Sequence, residues 1–524
     1  MKNNSDNPQY NSCVSKGICS VNPRTTALQN VLILYLHLFS KYCIKLFEKN
    51  ELDIQIKDFI LNATAIAVAN SAFTEYAFMT VIAKLQENMV LVIDKYNEIY
   101  NQDDFKGENI FDSDIFKNCK DIIDAIKLGE RIFREIITVM PSEIYDLYNI
   151  MLIVAKSISI NLLELKSFGI EDSEGFETLL NLLDSVRVNC TEKNTIKDII
   201  QEGARCNTDL MIKLYNAREA RYGKQGFCEV SYSTTPSKAV LVVGSNIREL
   251  ENILENLKET DIDIYTHDEM MVAHTYPYFH KYSHLKGQYG YGLENCLLDF
   301  STFPGPIILT KHSLHNIENL YRGRLFTTDL NFYKGVVKIE NDNFQPVIEA
   351  AELAKGFKNG RVCETINIGY NLDECLNLID EKLSSGKYKK MVIFGLKDYA
   401  DNINNYFENL VKRLDKDVLI ISFSYNVNQE NFLYFNTCFD YYAIVRVSEK
   451  LLKYKISMNA FLPKCNRNTV AELLYFNAFD IVNVYLGICE PITINPSLIN
   501  TLSQEFKINL ISTPQKDAES INNL

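Results

Sequence analysis

The 524-residue chain has no tryptophan and, despite 13 cysteines, no Cys-x-x-Cys pair. The absence of that spacing argues against zinc ribbons and thioredoxin-like redox couples. Positive charge is also in short supply. The 54 Lys and Arg stand against 67 Asp and Glu, a net charge of −13. Phosphate contacts need basic side chains, so nucleic acid is not expected as a partner. Long apolar runs are missing. The most apolar short stretch, Val31 to Phe39, is interrupted by His37 and followed by Lys41 and Lys45, whereas a bilayer span takes about 20 apolar residues. The start, Met1-Lys-Asn-Asn-Ser-Asp6, lacks the apolar core of a signal peptide. A cytoplasmic protein with no membrane association is the expectation. Neither Gly244-Ser-Asn nor Gly395-Leu-Lys extends to G-x-G-x-x-G, and there is no P-loop, so a dinucleotide site is not expected.

What remains is ordinary globular material: 47% hydrophobic and 23% charged residues, at a length that suits roughly three domains. Proline marks the first boundary. Only Pro8, Pro23 and Pro141 of the 12 prolines precede residue 236, which permits long helices. Asn22 can cap and Pro23 can start a helix whose stripe is Leu28, Val31, Leu32, Tyr35, Leu38 and Phe39. Helical periodicity recurs over about 73–101, 142–167, 174–187 and 193–222. From Pro236 short β-rich runs alternate with helices. Lys238–Val243 reads as a buried strand, followed by a helix with Asn246 and Glu249 spaced as a capping box. Asp261–Tyr265, Met391–Phe394, Val418–Phe423, Ala443–Val447, Ile481–Tyr485 and Ile508–Ile511 read as further strands, and the tail after Pro514 reads as frayed. The predicted fold is α/β: an N-terminal helical-bundle domain (1–235) and two Rossmann-like parallel-sheet domains (236–360 and 361–524).

Six of the seven histidines lie between His267 and His315. Taken alone, His267, Glu269, His274, His280 and His284 have the donor chemistry of a zinc or iron site. Against that, Pro277 breaks any continuous helix through them, and their spacing matches no established metal box. Ordinary cleft or surface histidines are therefore the heavier reading. Cysteines in a cytosolic chain of this size are reduced thiols, metal ligands or catalytic groups. Cys43, Cys119 and Cys190, on predicted helices, read as small core hydrophobes.

Four stretches carry a resemblance. They are Cys13-Val-Ser-Lys-Gly-Ile-Cys19 with Ala27-Leu-Gln29 after it; Tyr265-Thr-His-Asp-Glu-Met-Met-Val-Ala-His-Thr-Tyr-Pro277; Lys281-Tyr-Ser-His-Leu-Lys-Gly-Gln-Tyr-Gly290; and Phe303-Pro-Gly-Pro-Ile-Ile-Leu-Thr310 with Leu325-Phe-Thr-Thr328. In order and spacing the chain resembles the hybrid cluster proteins, the prismane or hydroxylamine reductase family, which is related to the nickel carbon monoxide dehydrogenases. The similarity covers most of the chain and weakens after about residue 380. It implies a helical domain and two Rossmann-like domains, with a hybrid iron–sulfur–oxygen cluster where they join.

The same resemblance locates ligand positions, and most hold the wrong residue. The family's proximal cluster uses four N-terminal cysteines; here Cys13 and Cys19 match the last two, and Met1 to Ser12 contain none. The family's hybrid cluster is held by one His, two Glu and four Cys. Carried over by spacing, these positions are Ser245, Glu269, Ser313, about Leu396, about Ser424, about Ser448 and about Asn466. Only Glu269 retains its ligand type. Serine and leucine do not replace thiolates on cluster iron, so the standard hybrid cluster is expected to be absent. His312 and Cys465 neighbour two lost positions. With His267 and Glu269 they are candidates for a different metal centre, set against simple refilling of the cavity by side chains and water. The related carbon monoxide dehydrogenases share one [4Fe–4S] cluster across a homodimer, two cysteines per chain. Cys13 and Cys19 supply half of such a set, and two-fold symmetry brings identical residues together. The alternative is that both are free thiols left from a lost site. Two functions compete: an iron–sulfur oxidoreductase of the hydroxylamine reductase type acting on a small nitrogen compound, or a ligand-depleted homologue with an electron-transfer, binding or regulatory role and a redox partner protein.

Overall fold

The computed structural model describes residues 23–67, 74–100, 119, 121–185, 192–290, 295–311, 318–329, 335–395, 401–423, 426–437, 445–447, 451–454, 456–462, 467–477, 482–486 and 496–523. The chain forms two compact units. The first holds Met1–Leu210, Asn466–Tyr475 and Glu490–Phe506; the second holds Met211–Cys465, Phe476–Cys489 and Lys507–Leu524.

The first unit is helical: α1 (Pro23–Glu48), α2 (Ile54–Ala67), α3 (Glu75–Tyr100), α4 (Ile122–Val139), α5 (Ser142–Ser167), α6 (Ser173–Ser185) and the first part of α7 (Lys193–Tyr222). The periodic stretches read from sequence match α3, α5, α6 and α7 within two residues at each end, and α1 starts at Pro23 as read but runs nine residues beyond its predicted stripe; α2 and α4 were not anticipated. The apolar content of α1 spreads over 26 residues. By length and composition α1 and α3 are each long and apolar enough to cross a membrane, whereas the sequence reading found no such run. In the structure 67% of the most apolar window of α1 is buried. It packs against α3, α4 and α6 as a central bundle helix. Its polar groups are answered inside the bundle: His37 Nδ1 lies 3.0 Å from the Leu183 carbonyl, and the Ser40 hydroxyl donates to the His37 carbonyl at 2.7 Å. Gly129 of α4 lies so close to α1 that a Cβ there would overlap the Ala27 carbonyl oxygen. Only glycine allows that approach. Cys43 and Cys119 are buried as expected, though Cys119 precedes α4 rather than lying on a helix. Cys190 lies outside the described residues.

The second unit contains two six-stranded sheets. The first is built from β2 (Lys238–Val243), β3 (Ile262–His267), β4 (Leu285–Gln288), β5 (Ile307–Leu309), β6 (Leu325–Thr327) and β7 (Val337–Lys338) in the order β4-β3-β2-β5-β6-β7. All its neighbouring strands are parallel. The second uses β9 (Lys390–Phe394), β10 (Val418–Ser422), β11 (Phe432–Tyr434), β12 (Ser457–Leu462), β13 (Val482–Leu486) and β14 (Asn509–Leu510) in the order β11-β10-β9-β12-β13-β14, again all parallel. Counted within each sheet, both orders are 3-2-1-4-5-6, the doubly wound arrangement in which ligands meet the carboxyl ends of the strands where the order reverses. A separate antiparallel pair, β1 (Cys228–Ser231) with β8 (Thr365–Ile368), joins the segments leading into the two sheets. The predicted α/β class, a helical region followed by two parallel sheets, is the architecture observed.

Two local expectations fail. Val445–Val447 is helical, not part of a strand. The place beside β9 is taken by β12, and Val445 and Val447 are instead buried helical side chains. The tail is not frayed. Thr513 caps a helix, α15 (Pro514–Asn522), by accepting from the Lys516 N–H at 3.3 Å, and Ala518 and Ile521 are buried against Phe407, Phe461 and Tyr485. The other helices of this unit used below are α8 (Ile247–Leu257) and α9 (Cys296–Thr302).

Candidate functional site

The ligand positions carried over from the resemblance fall, by chain position, where a doubly wound sheet receives ligands. Ser245 is two residues past β2, Glu269 two past β3 and Ser313 four past β5; Leu396 is two past β9, Ser424 two past β10 and Asn466 four past β12. Ser448 comes directly after the helical Val445–Val447. Of these positions only Ser245 and Glu269 are among the described residues. Cys13, Cys19, His312 and Cys465 also lie outside them.

At the end of β3 the side chains form a dense polar network. His267 is fully buried, and its Nε2 lies 3.1 Å from Asp299 Oδ2 of α9. Its ring meets Phe300 edge-on at 5.1 Å. A neutral ring that donates from Nε2 to Asp299 carries its lone pair on Nδ1. Nδ1 is buried and has no hydrogen-bond partner among the described residues. The next residue, Asp268, adopts the left-handed conformation (φ 57°), which Asp tolerates better than most side chains. Gln288 holds that turn. With its amide oriented to satisfy its neighbours, the nitrogen donates to Thr266 Oγ1 (2.6 Å) and Thr266 O (3.0 Å), while the oxygen accepts from the Asp268 N–H (3.0 Å). The half-buried Glu269 follows on a 3-10 turn, Asp268–Thr275.

The histidines do not converge. His274 Nε2 lies 2.9 Å from Thr266 Oγ1, His280 Nε2 lies 2.8 Å from the His274 carbonyl, and His284 Nε2 lies 3.1 Å from the Leu254 carbonyl. Burial pushes the His274 imidazole down to about 4, and nearby His280 adds to the shift. Burial also lowers His284. These rings are individually tied to the framework. Among the described residues no three His, Cys, Asp or Glu side chains gather as a metal cage.

At the order reversal between β2 and β5 the crevice is occupied by the chain's own carboxylate. Asn246 caps α8, accepting from the Arg248 and Glu249 N–H groups at 3.1 and 3.2 Å. The Glu249 side chain does not return to close the capping box. Its Oε2 accepts from the Lys311 N–H (3.0 Å) and the Thr328 hydroxyl (2.6 Å), and its Oε1 lies 3.4 Å from Lys311 Nζ. Glu249 therefore links the first turn of α8 to the ends of β5 and β6. Burial pushes its carboxyl above the ordinary range, and Lys311 and Thr328 only partly offset that. Two residues on, Glu251 binds Arg221 through both oxygens (2.6 and 2.8 Å), Arg248 (2.6 Å), Tyr222 (2.8 Å) and Tyr278 (2.7 Å). Burial alone would raise its carboxyl, but these bonds outweigh it and hold Glu251 at about 2.

The family pattern described as "Prismane/CO dehydrogenase family" matches residues 8–519. The chain belongs to this family. Similar proteins include hydroxylamine reductase from Thermodesulfovibrio yellowstonii, 25% identical and covering 98% of each chain. Hydroxylamine reductase from Acidiphilium cryptum is 26% identical over 96% of this chain and 94% of that one. A solved structure described as "NiZn[Fe4S4] and NiNi[Fe4S4] clusters in closed and open alpha subunits of acetyl-CoA synthase/carbon monoxide dehydrogenase" shares 11% identity, covers 99% of this chain and 84% of that chain, and has a TM-score of 0.46.

Tested against a hybrid cluster, the described positions offer one serine hydroxyl and one carboxylate where the family resemblance implies an imidazole and a carboxylate. A protonated hydroxyl is a poor ligand for cluster iron. Of the two described positions, Ser245 lacks the ligand type the resemblance implies and Glu269 retains it. Sequence reasoning missed Asp299 as the partner of His267, although Asp299 lies in the segment leading into Phe303-Pro-Gly. It also missed the reach of Glu249, which the capping-box spacing had assigned to its own helix.

Proposed function

We propose that this chain is a ligand-depleted member of the prismane and carbon monoxide dehydrogenase family that has given up the standard hybrid cluster. It works in electron transfer, binding or regulation. The observation that carries this reading is Ser245, two residues past β2, at the position the resemblance gives to the cluster histidine. The Ser, Leu and Asn residues at the other replaced positions extend it. Glu269 remains as a polar residue on a tightly held turn. Cys13 and Cys19 supply two thiolates of a [4Fe–4S] cluster shared across the two-fold axis of a homodimer. The protein is cytoplasmic, exchanges electrons with a redox partner protein, and binds neither nucleic acid nor membrane, in keeping with its net charge of −13. A second centre at His267, Glu269, His312 and Cys465 is the weaker proposal, because a metal needs three or four ligands in register whereas refilling the cavity with side chains and water needs none.

Anaerobic purification with iron and sulfide analysis tests this. A shared cluster gives about two iron and two sulfide per chain, half of a four-iron set. The Cys13→Ser variant should lose the visible absorbance and weaken the dimer. Iron sufficient for a full hybrid centre in every chain would overturn the reading.

The other reading is an oxidoreductase of the hydroxylamine reductase type. The whole-chain likeness to proteins of that name favours it. Hydroxylamine-dependent oxidation of a reduced viologen dye by the purified protein would decide for it.

A further inference from the structure

A cavity lies in the helical unit, away from the ligand positions considered above. Its walls are two helix faces of matching period. From α1 come Asn30, Ile33, Leu34 and His37, and from α5 come Tyr145, Tyr148, Asn149 and Leu152, each set at i, i+3, i+4 and i+7. Ile132 of α4 and Met140 close the side. Such stripes normally interdigitate. Here they stand apart and enclose about 580 Å³ counted with the open mouth. The wall side chains are well ordered by burial: Leu34, His37, Ile132, Met140, Tyr148 and Leu152 are all buried. The cavity's free interior holds on the order of five waters at ~10–15 Å³ each, so a bound ring sits partly in the open mouth.

The lining decides what fits. Four side chains are aliphatic, one is a thioether, two are phenols, two are carboxamides and one is an imidazole, and no Lys, Arg, Asp or Glu is among them. His37 is held by Nδ1 on the Leu183 carbonyl, and Asn149 Nδ2 donates to the Tyr145 carbonyl at 2.9 Å. Both are therefore fixed rather than free to swing. A mainly apolar cleft with a few fixed polar groups is the usual form of a small-molecule site. A charged ligand would leave its counter-charge behind, at a high desolvation cost.

We propose that this cavity binds a neutral, single-ring aromatic molecule carrying one hydroxyl or N–H group. The site is independent of any iron–sulfur centre.

The test uses the full chain with 4-fluorophenol as probe. Fluorine NMR should show saturable one-to-one binding. In protein with labelled isoleucine methyls, the shifted signals should be those of Ile33 and Ile132. Leu152→Phe, which fills the space, should weaken binding at least tenfold. Asn149→Leu, which keeps the shape and removes the amide, should weaken 4-fluorophenol more than fluorobenzene. Absence of saturable binding would overturn the proposal, as would shifts at isoleucines away from the cavity. If Leu152→Phe fails to fold, Asn149→Leu and the methyl shifts still decide.

Discussion

Asp299 Oδ2 lies 3.1 Å from His267 Nε2, and the imidazole it holds is wholly buried. The pair fixes the carboxyl end of β3 to α9 and leaves Nδ1 as a buried acceptor. Removing the carboxylate leaves both ring nitrogens without a protein partner among the described residues. Leaving one buried polar group unsatisfied costs about 1–3 kcal/mol. Asp299→Ala should lower stability by about that amount, while Asp299→Asn, which still accepts a hydrogen bond, should cost less. Urea unfolding midpoints check this. Equal losses in the two variants would mean that the hydrogen bond is not what Asp299 contributes.

His274 gives a pH dependence with a definite sign. Its imidazole falls from the ordinary 6.5 to about 4 because it is buried. The folded state therefore holds the neutral ring while the unfolded chain takes up a proton. The stability contributed is present above about 6.5 and is lost as pH falls towards 4. In His274→Gln, thermal midpoints measured across that window should fall less steeply than in the natural chain. Parallel curves would show that the acid sensitivity lies elsewhere.

Glu251 gathers Arg221, Arg248, Tyr222 and Tyr278 on one carboxylate that is 5% exposed. These bonds tie the end of α7 and the turn Pro277–Lys281 to α8. Because both guanidinium groups reach solvent, at 38% and 32% exposure, they are not stranded when the carboxylate goes. Glu251→Ala should therefore cost about 2–3 kcal/mol, less than a fully buried pair would. Hydrogen exchange should show the loss first in Tyr276–Tyr282. A change below about 0.5 kcal/mol, typical of a surface pair, would contradict this account.

Periodicity made much of the fold legible. The buried run Lys238–Val243 and the long amphipathic stretch 193–222 each admit one structure, and both formed as read. β12 escaped because its sequence, Ser-Met-Asn-Ala-Phe-Leu, places Asn459 inside the sheet. That side chain is buried and met by Asn483 Nδ2 at 3.3 Å. A polar residue at a core position breaks the pattern that marks a strand. The tail after Pro514 looked frayed because its apolar residues, Ala518 and Ile521, are few and need α12 (Asp401–Val411) and β12 to bury them. At the site, Glu269 and Ser245 were legible through local motifs. The partnership of His267 with Asp299 was not, since 32 residues separate them and only the sheet-to-helix packing brings them together. Glu249 was misassigned for a related reason. Its local spacing suited a capping box, but Lys311 and Thr328 lie just past β5 and β6, 62 and 79 residues on.

Glu249 supplies the opposite pH sign to His274. Its carboxyl titrates above the ordinary 4.5 because burial outweighs Lys311 and Thr328, with Asp329 adding repulsion. The folded state then binds its proton more tightly than the unfolded chain does. The stability it contributes is complete below 4.5 and is lost as pH rises through the raised value. Glu249→Gln is uncharged throughout and keeps an oxygen for the Lys311 N–H. It should remove this part of the pH dependence and be at least as stable as the natural chain at pH values above that window. Differential scanning calorimetry of both proteins, from pH 4.5 upwards, checks the sign. A variant less stable by a constant amount at every pH would mean that the ionised carboxylate contributes more through Lys311 and Thr328 than its burial costs.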